Sequence, residues 1–405
     1  MQREQSEQRE QAEQAETWFR IANPEQLRTP ALCFYPARIE QNIAEALRVA
    51  GTADRLRPHV KTYKCPNVVQ MLLRAGVTRF KCATLTEAEM LAQAGAPDVL
   101  LAYPMIGPNA EAFVALTLRY PNVRFQTIAD SVEGLEALET AVAGMSEPVD
   151  CEAPSAGTTV PAQSGAKTLE VLVDINAGMN RTGIAPGEPA LRLYRRIAES
   201  ARLEPAGVHA YDGHIRDHEL SARCAAAAET SAAAEHLRSA AVAEGIAVPR
   251  VVMGGTPTFP CHAERPDVEL SPGTCFLHDG GYSEQHPDLR FLPAALIVGR
   301  VISRPADGLF AIDIGSKAIA TDRAGARGAI LNLPGAEPIG QSEEHWVFRG
   351  ADVARLPAIG ELVYVLPRHI CPSVEHYDYA TVIDAAGTAT ERWPIAARGR
   401  GLSFM

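Results

Sequence analysis

Between residues 56 and 272 the chain alternates short apolar, β-prone runs with helical segments, and few architectures can accommodate that rhythm. The runs fall at 56–61, 79–85, 98–103, 124–130, 170–175, 206–211, 250–256 and 268–272. Between them lie Ala-, Leu- and Glu-rich stretches such as 86–94, 190–201 and 221–244. Strands separated by helices pair in parallel, because the chain must cross back over the sheet before the next strand can start. Eight such repeats predict a closed (β/α)8 TIM barrel. A further run at 29–35, with an amphipathic helical pattern over 36–50 behind it, precedes the series and is free to join another sheet.

After about residue 290 the pattern changes. Short β-prone runs at 294–302, 309–314, 344–348, 361–366 and 379–383 alternate with Gly and Pro turns and almost no helix. This predicts a separate antiparallel β domain. A chain of 405 residues also exceeds what one core usually organises. The expected division is a tail over 1–17, a barrel over 18–290 and a β domain over 291–405. The segment 144–167, rich in Ser, Pro, Ala, Gly and Thr, reads as a surface insertion within the barrel.

Composition narrows the partners. A formal charge of −11 leaves no electrostatic footprint for nucleic acid. No apolar run reaches the length of a membrane span, and the Gln-, Glu- and Arg-rich start lacks the apolar core of a signal peptide. Eight cysteines without a CxxC pair fit reduced thiols in a cytoplasmic protein better than a disulfide framework.

Lysine usage points to chemistry. The chain has five Lys against 33 Arg, yet Lys61, Lys64 and Lys81 fall close together near the start of the barrel. Arginine keeps its proton, whereas a lysine amine can be tuned towards neutrality and attack a carbonyl. In Arg57-Pro58-His59-Val60-Lys61-Thr62 the alternation of an extended strand puts Arg57, His59 and Lys61 on one face. Asn180-Arg181-Thr182-Gly183 follows the fifth run, and His209-Ala210-Tyr211-Asp212-Gly213-His214 ends the sixth. Gly254-Gly255-Thr256-Pro257 and Ser271-Pro272-Gly273-Thr274 end the last two, where barrels commonly hold a phosphate on bare N–H groups and hydroxyls. A phosphate site beside a lysine fits pyridoxal phosphate held as an imine, or equally an imine-forming sugar-phosphate aldolase. Far along the chain, Pro367-Arg368-His369-Ile370-Cys371-Pro372 offers imidazole and thiolate. In an extended segment His369 and Cys371 would point the same way and hold one divalent cation, with room left for substrate.

Taken in order, these motifs resemble the D-threonine aldolase family, relatives of D-serine dehydratase among the alanine-racemase-like pyridoxal-phosphate enzymes. The matching stretches are Arg-Pro-His-x-Lys-Thr at 57–62, Lys-Cys-Ala-Thr at 81–84, Asn-Arg-Thr-Gly at 180–183 and Ala-Tyr-Asp-Gly-His at 210–214. Gly-Gly-Thr-Pro at 254–257, Ser-Pro-Gly-Thr at 271–274 and His-x-Cys-Pro at 369–372 complete the series. The resemblance runs from about residue 18 to 400. It implies Lys61 as the Schiff-base lysine, Arg181 near the phenolic oxygen of the cofactor, and His209 or Tyr211 by its ring. It places Gly255, Thr256, Gly273 and Thr274 around the phosphate and His369 and Cys371 on zinc or manganese; in such a reaction His59 or a metal-bound hydroxide would be the base. It also implies a head-to-tail homodimer with the active site at the interface and a small D-β-hydroxy-α-amino acid as substrate. Two departures stand out: Tyr63 where the family often has His, and His-x-Cys where D-threonine aldolases resemble His-x-Asp. The expected activity is D-threonine aldolase. A D-serine or D-threo-3-hydroxyaspartate-type dehydratase is the alternative, and a non-catalytic pyridoxal-phosphate-binding protein the reading from another class.

Overall fold

The computed structural model describes residues 17–144 and 168–404. The N-terminal tail through residue 16 and the insertion from 145 to 167 lie outside the described residues. The chain forms two compact units. Of the described residues, one gathers 17–45, 65–68 and 274–398, and the other 46–64, 69–144, 168–273 and 399–404.

The second unit is a barrel of parallel strands: β2 (Arg79–Cys82), β3 (Asp98–Pro104), β4 (Arg124–Ala129), β5 (Leu169–Ile175), β6 (Leu203–Ala210), β7 (Val251–Met253) and β8 (Val268–Leu270), with β1 (Ala31–Phe34) belonging to the other unit. They pair in sequence order from β2 to β8. Helices Leu85–Gln93, Pro108–Arg119, Val132–Gly144, Glu188–Ala198 and Leu220–Ala243 separate successive strands.

The run expected as the first barrel strand is not a regular strand. Leu56 bridges Leu270, and His59 bridges Lys81. The Arg57 and His59 N–H groups donate to the carbonyls of Leu270 and Pro272, and Lys81 N–H donates to Pro58, each at 2.8 Å. The segment therefore fills the gap between β8 and β2 and closes the ring. Pro58 has no N–H to extend a ladder, and the chain coils at once into a 3-10 turn at Val60–Thr62. The expectation that Arg57, His59 and Lys61 share a face fails with it.

Alternation along each strand sorts the barrel interior into layers. The lowest is ionic: fully buried Arg57 pairs with Asp98 at 2.6 Å and Glu269 at 2.5 Å, and Arg250 with Glu170 at 3.2 Å. Burial opposes the Asp98 charge, yet Arg57 holds its carboxyl below the usual range. Two residues further along the strands comes an apolar layer of Leu100, Ile128, Leu172, Ala206 and Val252. Above it, towards the strands' carboxyl ends, stand Asp174, His209 and Ser271.

The first unit is built on β9 (Ala295–Ser303), β10 (Leu309–Ile312), β11 (Gly328–Ile330), β12 (Glu337–Gln341), β13 (Trp346–Arg349), β14 (Leu362–Pro367), β15 (Tyr379–Ile383) and β16 (Ala389–Pro394). They form one sheet with β1, which lies between β9 and β15. All pairings are antiparallel except β1 with β15, so the expected antiparallel domain carries one parallel seam. Its core packs Phe19, Ile21, Cys33 and Tyr35 against Leu296, Val298, Leu362 and Tyr364.

One further expectation is overturned. Cys224 and Cys261 form a disulfide, so the thiols are not all reduced. Among the described residues Cys33, Cys65, Cys82, Cys275 and Cys371 stand outside any disulfide. Among the described residues no helix is long and apolar enough to cross a membrane.

Candidate active site

The 3-10 turn that ends the closing segment sets the position of Lys61. His59 caps it, its Nδ1 accepting the Lys61 N–H at 3.3 Å, while Lys64 Nζ donates to the Lys61 carbonyl at 2.5 Å. Burial pushes the His59 imidazole well down, and the charges of Lys61, Lys81, His209 and Lys64 push it further. A neutral His59 whose Nδ1 accepts a hydrogen bond carries its proton on Nε2. It is thereby a donor, which argues against its expected part as a base.

Tyr211, one residue beyond β6, is the hub of the arrangement. The Lys61 and Lys81 amines each lie 5.6 Å from its ring centroid, and the Arg181 guanidinium lies 5.0 Å away. Arg181 follows a loop in which the Asn176 side chain accepts the Gly178 and Asn180 N–H groups, with Asn180 at a φ of +52°. His209 is 4% exposed, and its Nδ1 meets Asp174 Oδ1 at 2.7 Å. Burial lowers the His209 imidazole despite Asp174, so its proton sits on Nδ1. Its buried Nε2 has no hydrogen-bond partner.

The two Gly/Thr loops complete this side. Gly255 N–H donates to Thr258 Oγ1 at 3.1 Å, and Thr258 donates to Asp212 at 2.7 Å. His262 holds the other Asp212 oxygen at 2.7 Å. Gly273 N–H reaches Thr256 Oγ1 at 3.3 Å, tying one loop to the next. A Cβ on Gly273 would lie 2.8 Å from the His59 carbonyl oxygen, so the close approach needs glycine. These residues suit an anionic aldehyde: two adjacent loops of Gly N–H groups and Thr hydroxyls, and, among the described residues, a His209 nitrogen without a hydrogen-bond partner and Lys61 and Arg181 without ion pairs.

In the other unit, His369 and Cys371 are not in an extended segment. His369 is the N-cap of a short helix, Ile370–Val374, with Pro372 in its first turn. Asp279 starts this helix from a distance: one oxygen accepts the Ile370 N–H at 3.0 Å, the other the Tyr282 N–H at 2.9 Å. His369 Nδ1 meets Asp322 at 2.6 Å. Burial would raise the Cys371 thiol, but the hydrogen bond and charge of His369 outweigh it and bring the thiol below its ordinary value. Thr274 Oγ1 contacts Cys371 Sγ at 3.4 Å. An imidazole fixed through Nδ1 beside a thiolate fits a divalent cation. No three His, Cys, Asp or Glu side chains among the described residues form a fuller metal cluster.

Sequence reading missed Asp174, Asp212, Asp279 and Asp322, which orient the functional side chains. Asp174, a charge at the end of the apolar run Leu169–Ile175, and Asp212, inside the motif at 210–214, each had a local signal, though not for their partners. Asp212, Asp279 and Asp322 act across 46 to 91 residues.

The closed parallel barrel thus gathers Lys61, Lys81 and Arg181 about the Tyr211 ring, just beyond the carboxyl end of β6. The chain belongs to the family described as "Alanine racemase, N-terminal domain", which matches residues 36–277, and a "Putative serine dehydratase domain" matches 294–383. It is 28% identical over 380 residues to D-threonine aldolase of Arthrobacter sp, covering 92% of this chain and 93% of that one. It is also 28% identical over 391 residues to D-threo-3-hydroxyaspartate dehydratase of Delftia sp. (strain HT23), covering 89% and 96%. Among solved structures, D-threonine aldolase from Filomicrobium marinum superposes with a TM-score of 0.81 at 28% identity, covering 93% and 96%.

Proposed function

We propose that this chain is a pyridoxal-phosphate- and divalent-metal-dependent lyase on D-β-hydroxy-α-amino acids, working as a homodimer. Its reaction is D-threonine aldolase cleavage to glycine and an aldehyde. The observation that carries this is the Lys61 amine, which stands with Arg181 at the Tyr211 ring in a chain resembling D-threonine aldolase along most of its length. Lys61 would hold the cofactor aldehyde, Gly255, Thr256 and Gly273 the phosphate, and Arg181, His209 and Tyr211 the ring. Bound there, pyridoxal phosphate supplies an electron sink for charge left at Cα. His369 and Cys371 would hold zinc or manganese, whose chemistry is to acidify a coordinated hydroxyl.

The chain's own groups divide the remaining work. The Lys61 amine would move the proton at Cα. His59 offers Nε2–H, a donor that burial keeps from taking a second proton. His209 Nε2 stays an acceptor while Asp174 holds the other nitrogen. Asp322 fixes His369 so that Nε2 faces a ligand.

A second reading has support from Cys371, which makes the metal pair His-x-Cys, and from the Delftia dehydratase relative. In that reaction the β-hydroxyl leaves as water and a 2-oxo acid forms. Incubation of the metal- and cofactor-loaded protein with D-threonine separates the two. Acetaldehyde with glycine is expected, and a chelator is expected to stop it. 2-Oxobutanoate would instead establish the dehydratase, and no product from any D-β-hydroxy amino acid would overturn the lyase reading.

A further inference from the structure

The proposed reaction leaves Lys81 without a task, although it is among the largest fully buried side chains of the protein. Its backbone closes the barrel against Pro58, while its side chain reaches Ser271 Oγ at the carboxyl end of β8. Two other buried cations inside the barrel are matched: Arg57 has Asp98 and Glu269, and Arg250 has Glu170. Among the described residues Lys81 has no ion pair. The nearby carboxylates are already engaged, Asp174 by His209 and Thr182, and Asp212 by His262 and Thr258.

Ser271 does not require the amine. Its hydroxyl has the Gly254 carbonyl at 2.9 Å and that of Met253 at 3.2 Å. The Tyr211 ring at 5.6 Å gives a weak cation–π contact, far less than the loss of water around a buried charge. Burial, with the neighbouring charge of Lys61, accordingly brings the amine down to about 7. A buried amine without a counter-charge, standing as far from Tyr211 as Lys61 does, is a place for an anion supplied by a ligand.

We propose that Lys81 is a second cofactor-binding lysine, the cation that meets the anionic cofactor at the Ser271 end of the pocket while Lys61 holds its aldehyde. This rests on the pyridoxal-phosphate reading above. Lys81→Met removes the charge at nearly constant volume, and Lys81→Gln removes it while keeping a donor for Ser271. Pyridoxal phosphate and pyridoxal are titrated into the cofactor-free wild type and both variants, following visible absorbance and dissociation constants. Both variants are expected to bind pyridoxal phosphate about 10- to 100-fold more weakly than wild type, the loss of one charge-assisted contact. They are also expected to melt no lower than wild type without cofactor. A loss shared by pyridoxal puts the contact on the ring, and a loss confined to pyridoxal phosphate puts it on the phosphate; either supports the proposal. Wild-type affinity and spectrum in Lys81→Met, or their recovery in Lys81→Gln, would overturn it alone. Failure of the wild type to bind either aldehyde would instead overturn the cofactor reading, and this one with it.

Discussion

Arg57 and Lys61 stand four positions apart on one segment, yet Arg57 reaches the ionic floor of the barrel and Lys61 reaches Tyr211. Replacing Arg57 with Met removes the shortest ion pairs of Asp98 and Glu269 and leaves them only longer contacts with Arg124, Arg79 and Arg250. The expected loss is about 3–5 kcal/mol of stability, read from the urea midpoint. The shared face expected from the sequence assumed that an extended strand would continue, and the 3-10 turn at Val60–Thr62 interrupts it. Lys61, Arg181, His209 and Tyr211 were nevertheless legible, because each stands in a short polar motif at the end of an apolar run. Lys81 was legible as an oddity of composition, but its lack of an ion pair among the described residues appears only once the fold has paired Arg57 and Arg250. It also gives the cofactor-free protein a pH signature. Burial above all, then Lys61 and Arg57, push its amine down and Asp212 and Asp174 oppose them, for a net value of about 7 against 10.5 for a free lysine. Between those values the unfolded chain binds the extra proton, so stability rises with pH; below about 7 the penalty is complete. Urea unfolding at neutral and at alkaline pH should show this rise in the wild type and not in Lys81→Met. An equal slope in both would exclude Lys81 as its source.

Among the elements, the long runs were readable and the short edges were not. β9, β10, β14 and β15 carry buried apolar residues that announce themselves. β12 is almost wholly exposed, β11 has three residues, and β16 is mostly polar, so none shows an alternation to read. Pro372 was a local sign that His369 begins a helix, but the Asp279 carboxylate that caps it lies 91 residues away. The disulfide has the same character: its cysteines are 37 residues apart and meet only because helix Leu220–Ala243 packs beside helix Phe259–His262. A loop of that size corresponds to about 4 kcal/mol of chain entropy removed from the unfolded state. Replacing both cysteines with Ser should lower stability by up to that amount, and the effect of a reductant on wild-type urea melts should match it. Melts indifferent to reductant would mean that the bond contributes nothing.

At the scale of the molecule, strand–helix alternation was enough to specify a parallel barrel, because that connection has few closed solutions. The β unit was only partly legible, since its centre is a pairing between the two ends of the chain. β1 lies between β9 and β15, and the Ile21 N–H donates to the Tyr364 hydroxyl across 343 residues. At roughly 5–20 residues per second, ribosomes need roughly 17–70 s to make that span. β1 therefore leaves the ribosome long before either neighbouring strand exists, with both its edges open to foreign strands. Birth of this protein thus calls for something to shield four early residues while the barrel is already taking shape.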